Sequence, residues 1–154
     1  MLLKDIDGDI QVLLVKRAIR PTDHWSGHMA FPGGRRNALD ADLRETALRE
    51  TMEETSIDLD DCLYLGALSP LKSEVVPGMC VIPFVFACEG TAEVSLNEEL
   101  YAYYWVSLDE LRKSKGYTKL GRDDVPSYLV AGEVIWGLTY RMLEQFFSLI
   151  SGTL

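Results

Sequence analysis

The chain is short of the residues on which several common chemistries depend. Its two histidines, His24 and His28, come with no Ser/His/Asp arrangement, so nucleophilic catalysis of the triad kind has no support. Three cysteines, Cys62, Cys80 and Cys88, are odd in number and show no CxxC spacing. That argues against a disulfide framework and a zinc site. Buried, inert thiols in a reducing cytoplasmic setting are expected instead. No apolar run approaches the roughly 18 residues of a membrane span, and the opening MLLKDIDGDIQ is too short and too acidic for a signal peptide. Positive charge is scarce, with 15 Lys and Arg against 24 Asp and Glu and a net charge of −9. A nucleic-acid polymer is therefore a poor partner, because affinity for its backbone is built from many cationic contacts. A small anionic ligand remains compatible, held through bound cations and a few local arginines. There is no repeat and no low-complexity stretch, and 154 residues suffice for a single domain, 1–154, with its own core.

What is present is a concentration of carboxylates. Read as a helix from about Asp42, the segment containing Arg49, Glu50, Glu53 and Glu54 places its three glutamates at i, i+3 and i+4 on one face. Like charges at that spacing cost roughly 0.2–0.5 kcal/mol per pair, which a hard divalent cation among them would relieve. Oxygen ligands of this kind suit Mg²⁺ or Mn²⁺. The plainer reading is a solvated acidic face on which Arg49 pairs with Glu45 and Glu53. Upstream lie Pro32-Gly33-Gly34, where backbone can approach another group closely, and the arginines Arg17, Arg20, Arg35 and Arg36.

In order, Leu2–Lys4 and Ile10–Lys16 read as a hairpin around Asp5-Ile6-Asp7-Gly8, and Arg17–Gly27 as a loop. A short strand is expected at Met29–Phe31 and a helix over Leu43–Thr55, with Asp40 or Asp42 as cap. Leu43, Ala47, Leu48, Thr51 and Met52 form its expected packing side, with the glutamates largely off it. Cys62–Leu68 and the almost wholly apolar Met79–Cys88 read as strands, Pro83 marking a bulge or a strand start. Leu100–Val106 is a strand whose aromatics are expected in the core, and Ser107 caps a short helix. Lys113–Val125 reads as loop, Val134–Trp136 as a small strand or a lead-in, and Thr139–Ile150 as a helix. Strands interleaved with two substantial helices indicate a mixed sheet between helices.

Gly34-x5-Asp40-x8-Arg49-Glu50-Thr51-x-Glu53-Glu54-x-Ser56-Ile57 resembles the Nudix box, G-x5-E-x7-R-E-U-x-E-E-x-G-U with U aliphatic. The R-E-x-x-E-E half is intact. One extra residue precedes Arg49, Asp40 stands for Glu, Thr51 for an aliphatic residue and Ser56 for Gly. The spacing, with Gly27-x3-Phe31-Pro32-Gly33-Gly34, is similar to the coenzyme A pyrophosphatase branch. Leu13-Leu14-Val15-Lys16-Arg17-Ala18 resembles that branch's upstream L-L-T-x-R-[SA], although Val15 replaces Thr and Asp23 stands where an Arg is usual. Asn97-Glu98-Glu99-Leu100 and Trp136-Gly137-Leu138-Thr139 extend the resemblance over nearly the whole chain.

The resemblance implies an α/β fold, a Nudix-type α/β/α sandwich with a central mixed β-sheet. It also implies Mg²⁺- or Mn²⁺-dependent hydrolysis of a P–O–P bridge in a small anionic, nucleotide-derived substrate. Coenzyme A or its thioesters come first, then ADP-ribose or a nucleoside triphosphate, with a non-catalytic nucleotide-binding module as the competing class. Glu50, Glu53 and Glu54 would hold metal with the Gly34 backbone nearby, and Arg49 would orient a carboxylate. Glu99 would complete the catalytic set, with Glu98 and Glu74 as alternatives. Arg17, Arg35, Arg36, Gly33, Gly34 and His28 would bind substrate. A homodimer is a fair expectation for such a family.

Overall fold

The computed structural model describes residues 1–90 and 93–152. Strands β1 (Leu2–Ile6) and β2 (Asp9–Arg17) form the expected hairpin, paired antiparallel with Leu3 opposite Val12. Both central turn residues, Asp7 and Gly8, have positive φ (53° and 87°), which is the geometry that matches strand twist in a two-residue hairpin. Next come β3 (Met29–Ala30), α1 (Leu43–Thr55), β4 (Leu63–Ala67), β5 (Leu71–Lys72), β6 (Cys80–Val81) and β7 (Phe84–Cys88). The remainder is β8 (Leu100–Ser107), α2 (Leu108–Lys113), β9 (Lys115–Leu120), β10 (Asp123–Val130), β11 (Glu133–Ile135) and α3 (Gly137–Ser151).

The central sheet is mixed. Strand β1 runs parallel to β7, while β2 pairs antiparallel with β1, β3 and β8, and β4 pairs antiparallel with β7. Alternation along the strands sends Leu3, Val12, Leu14, Val85 and Val106 to one face, where they meet Leu111, Tyr128, Ile135, Leu143, Phe146 and Phe147. Leu2, Leu13, Val15, Phe86 and Leu100 face the other way and pack with Ile57, Leu59 and Leu48, on the side of α1. Helices therefore flank both faces of a mixed sheet, as expected.

Several expectations are corrected. Met79–Cys88 is two strands broken at Pro83: β6 pairs only with β5, whereas β7 lies between β1 and β4 with Val85 and Phe86 buried on opposite faces. Lys113–Val125 is no loop, since β9 and β10 pair from Lys115 opposite Tyr128 to Leu120 opposite Asp123. Its alternation is between polar and half-covered residues, so it lacks an apolar signature. Tyr101 and Tyr103, on the edge strand β8, are 75% and 43% exposed rather than buried, with Lys16 lying over the Tyr101 ring. Ser107 precedes α2 but makes no cap bond; its hydroxyl goes to Asp9 at 2.6 Å. Cys62 and Cys88 are joined in a disulfide, and Cys80 is exposed. The antiparallel pairing that sets Leu63 opposite Ala87 brings the two sulfurs together across 26 residues of sequence. That removes the ground on which a reducing compartment was expected. Among the described residues no helix is long and apolar enough to cross a membrane.

Candidate active site

Helix α1 begins at Asp42, whose carboxylate accepts from the Glu45 amide at 2.8 Å, and ends at Ser56 in the left-handed conformation. Its buried side matches the expected one only in part, in Thr51, which is buried, and Leu48, which packs on an apolar cluster. Leu43 and Met52 are 43% and 48% exposed, while Thr46, Thr51, Glu54 and Thr55 are buried. Thr46 donates to the Asp40 carboxylate and the Asp42 carbonyl, and Glu54 accepts from the Gly33 amide. Thr55 returns its hydroxyl to the Thr51 carbonyl at 2.7 Å, and the helix end is tied down by the amides of Ser95 and Asn97, which donate to the carbonyls of Thr55 and Glu54.

Glu54, only 3% exposed, is the centre of the site. It accepts from the Gly33 amide at 2.9 Å, and Gly33 presents that amide from a backbone at φ 147° that favours glycine. Burial pushes the Glu54 carboxyl up to about 7; the Gly33 amide opposes the shift, and the charge of Glu50 adds to it. Glu50 lies one turn back, pressed against Gly34 so closely that a Cβ at position 34 would overlap its carboxylate.

Arg49 organises the outer rim. Its guanidinium meets both oxygens of Asp40 at 2.9 Å, Glu50 at 2.8 Å, Glu53 at 3.3 Å and the Arg35 carbonyl at 3.2 Å. Asp40 is buried, bonded also by the Asn37 amide at 3.0 Å and the Thr46 hydroxyl at 2.9 Å. Arg49, then Asn37, hold its carboxyl well below the usual carboxylate range. The Asp in place of Glu at position 40 thus keeps the contact that steers Arg49.

A cavity of about 760 Å³ opens beside these groups. Of the expected residues its walls bring together Glu50, Glu54, Glu99, Arg17, Arg35, His28, Gly33 and Gly34. Glu53 does not line it; its exposed side chain turns to Arg49. Arg36 also stands apart, since it donates to the carbonyls of Asp40 and Ala41 at 3.0 and 2.9 Å and so ties the loop before α1. Glu98 is 92% exposed at the side chain, 4.0 Å from Arg20, and lies outside the cavity. Glu74 does line it, paired with Arg141 at 3.3 Å. The apolar part of the lining was not anticipated as part of a site: Met79, Val81, Phe84, Val125, Trp136 and Met142 contribute it. Trp136 stacks on His28 with ring centroids 4.9 Å apart, and burial lowers the pKa of that histidine. These residues come from four elements distant in sequence, so no local pattern could have assembled them.

The NUDIX domain family matches residues 1–124 of the chain. The chain belongs to the Nudix family. An uncharacterised Schizosaccharomyces pombe protein is 37% identical over 119 residues, covering 73% of this chain, which spans only 36% of that protein's length. The human mitochondrial coenzyme A diphosphatase NUDT8 is 29% identical over 160 residues, covering 97% of this chain and 66% of its own. Among solved structures, a Caenorhabditis elegans Ap4A hydrolase binary complex shares the fold, with a TM-score of 0.68 at 19% identity over 98% of this chain and 95% of that one. The protein is a Nudix hydrolase, a pyrophosphatase acting on anhydride bonds.

Proposed function

We propose that the protein hydrolyses the diphosphate bridge of coenzyme A or its thioesters in the cavity above Glu50 and Glu54, releasing 3′,5′-ADP and a 4′-phosphopantetheine. The observation that carries the reading is a carboxylate buried beside a second one beneath a glycine-rich loop, an arrangement unfavourable by itself and relieved by a divalent cation. Among the described residues no three Asp, Glu, His or Cys side chains gather round one point. The fit is therefore to an ion such as Mg²⁺ or Mn²⁺ that takes one or two carboxylates and completes its shell with water and substrate phosphate oxygens. Bound there, the ion would supply electrostatic stabilisation of the phosphoryl oxygens and a lowered pKa for water.

The chain's own residues have separate parts in this reading. Glu50 and Glu54 are the proposed metal ligands and the Gly33–Gly34 backbone lets a diphosphate approach them. Arg49 fixes the Glu50 carboxylate while Asp40 fixes Arg49. Glu99, lining the same cavity as Glu54, is the proposed distal acid in preference to Glu98. Arg35 is the proposed phosphate contact, Arg17 being held by Asp23, and the apolar part of the lining suits the non-nucleotide arm. The similarity to a human coenzyme A diphosphatase supports this choice of substrate over ADP-ribose and nucleoside triphosphates. Incubation with Mg²⁺ or Mn²⁺ and coenzyme A, acetyl-coenzyme A, ADP-ribose and ATP, with products resolved by chromatography, tests it. Cleavage of the coenzyme A compounds at the highest kcat/KM is expected; no product from any of them would move the chain to a binding role.

A further inference from the structure

We infer that, between two nucleoside diphosphate derivatives with otherwise identical arms, this cavity favours the one that carries no additional phosphate monoester, because two of the three arginines lining it, Arg17 and Arg141, are each held by a carboxylate, Asp23 behind the wall and Glu74 on it. The inference rests on the pyrophosphatase reading above and narrows its substrate class, placing dephosphorylated coenzyme A-type compounds ahead of their 3′-phosphorylated forms.

Three arginines and no lysine line the cavity among the described residues. Arg17 gives both its Nε and its Nη2 to one oxygen of Asp23, at 2.9 and 2.7 Å, and the other oxygen accepts from the Trp25 amide at 3.1 Å. Both members are largely covered, with 27% and 16% of their side chains exposed, so the pair is not a loose surface contact. Burial works against the Asp23 charge, yet the Trp25 amide and Arg17 together hold its carboxyl below the ordinary value. Arg141 donates to the Lys72 carbonyl at 2.8 Å and pairs with Glu74 at 3.3 Å. Only Arg35, of the three, has no carboxylate partner among the described residues. Against these stand Glu50, Glu54, Glu74 and Glu99 on the same walls.

A diphosphate can place its charge on a cation at Glu50 and Glu54 and on Arg35. A further phosphate monoester brings about −1.5 to −2 more charge near neutral pH. With Arg35 engaged by the diphosphate and Arg17 and Arg141 held by Asp23 and Glu74, it would find no unpaired arginine among those lining the cavity, and an uncompensated charge in a partly desolvated site is costly. Asp23 is thus assigned as a specificity-determining residue that acts through Arg17.

The test compares pairs that differ only in that phosphate, dephospho-coenzyme A with coenzyme A and NADH with NADPH, under Mg²⁺. The unphosphorylated member of each pair is expected to show a kcat/KM higher by about tenfold or more. In Asp23→Asn, which keeps an acceptor for Trp25 and releases Arg17, the ratio should fall because the phosphorylated member is turned over faster. A merely structural role for Asp23 would slow both members together and leave the ratio where it was. Equal or better turnover of the phosphorylated members by the wild-type protein would overturn this inference and leave the pyrophosphatase reading standing. Absence of hydrolysis with all four compounds would overturn both.

Discussion

Replacing Glu54 by Gln should strengthen the metal-free protein while disabling it. In the fold this carboxyl titrates at about 7 against an ordinary 4.5, because burial penalises its charged form. Between those values the folded protein holds a proton that the unfolded chain has released, so stability falls as pH rises from about 4.5 through 7 and the full penalty is present above 7. At about 1.4 kcal/mol for each tenfold difference in proton affinity, the gap corresponds to about 3 kcal/mol. Glutamine is nearly isosteric, retains an oxygen for the Gly33 amide and carries no charge to bury beside Glu50. Thermal unfolding in EDTA should show the variant and wild type alike near pH 5. At pH 8 the variant should melt higher by up to roughly 6–12 °C. Mg²⁺ should raise the wild-type midpoint and leave that of the variant unmoved, and turnover should drop at least about 100-fold. A variant no more stable than wild type at pH 8 would refute the buried-charge argument, and undiminished Mg²⁺-dependent turnover would refute the ligand assignment.

Other perturbations read out the neighbouring contacts. Gly34→Ala forces a Cβ into the Glu50 carboxylate, so kcat should fall about 100-fold with little change in melting temperature; full activity would show that Glu50 need not sit there. Asp40→Asn removes the charge that orients Arg49, and kcat should decline about 10- to 100-fold with KM little altered. Because Asp40 is held ionised well below the usual range, activity lost in mild acid should not trace to this pair, a point that matched pH profiles of wild type and variant would settle. Reducing the Cys62–Cys88 bond, or Cys62→Ser, should cost about 3 kcal/mol by the chain-entropy argument for a link across 26 residues, seen as a lower melting temperature with reductant; no change would mean that the thiols are unpaired in solution.

Much of the fold could be read from local chemistry. Asp7-Gly8 announced the hairpin, and Asp42 with an uninterrupted run to Thr55 announced α1 at the limits it has. The i, i+4 relation put Glu50 and Glu54 on one face, where they stand. What periodicity misjudged was which face is inward. Leu43 and Met52 looked like packing residues, but the neighbour of α1 is a glycine loop whose amides want a carboxylate, so Glu54 is buried in their stead. Strands β9 and β10 escaped notice because a hairpin half in water needs no apolar alternation. The Cys62–Cys88 link and the apolar lining of the cavity depend on pairing and packing between segments far apart in sequence. Arg36 and Glu53 illustrate a further limit: a charged residue near a site is as readily used to tie a loop or hold a neighbour as to meet substrate.

The inward face of α1 has a consequence for how such an enzyme diversifies. Its buried residues are Thr46, Thr51, Glu54 and Thr55, whereas the two apolar clusters are built from the sheet, α2, α3 and the segment after α1. The catalytic helix is moored by hydrogen bonds to a loop and to the chain before β8, and among the described residues Leu48 alone of α1 packs on an apolar cluster. Substitutions that alter the chemistry of the carboxylate face therefore fall on residues the hydrophobic core does not use, and those that reshape the core leave the carboxylates in place. One scaffold can thus repack its apolar clusters while keeping its carboxylates in place, the cost of the buried Glu54 charge being the one point at which hydrolytic centre and stability meet.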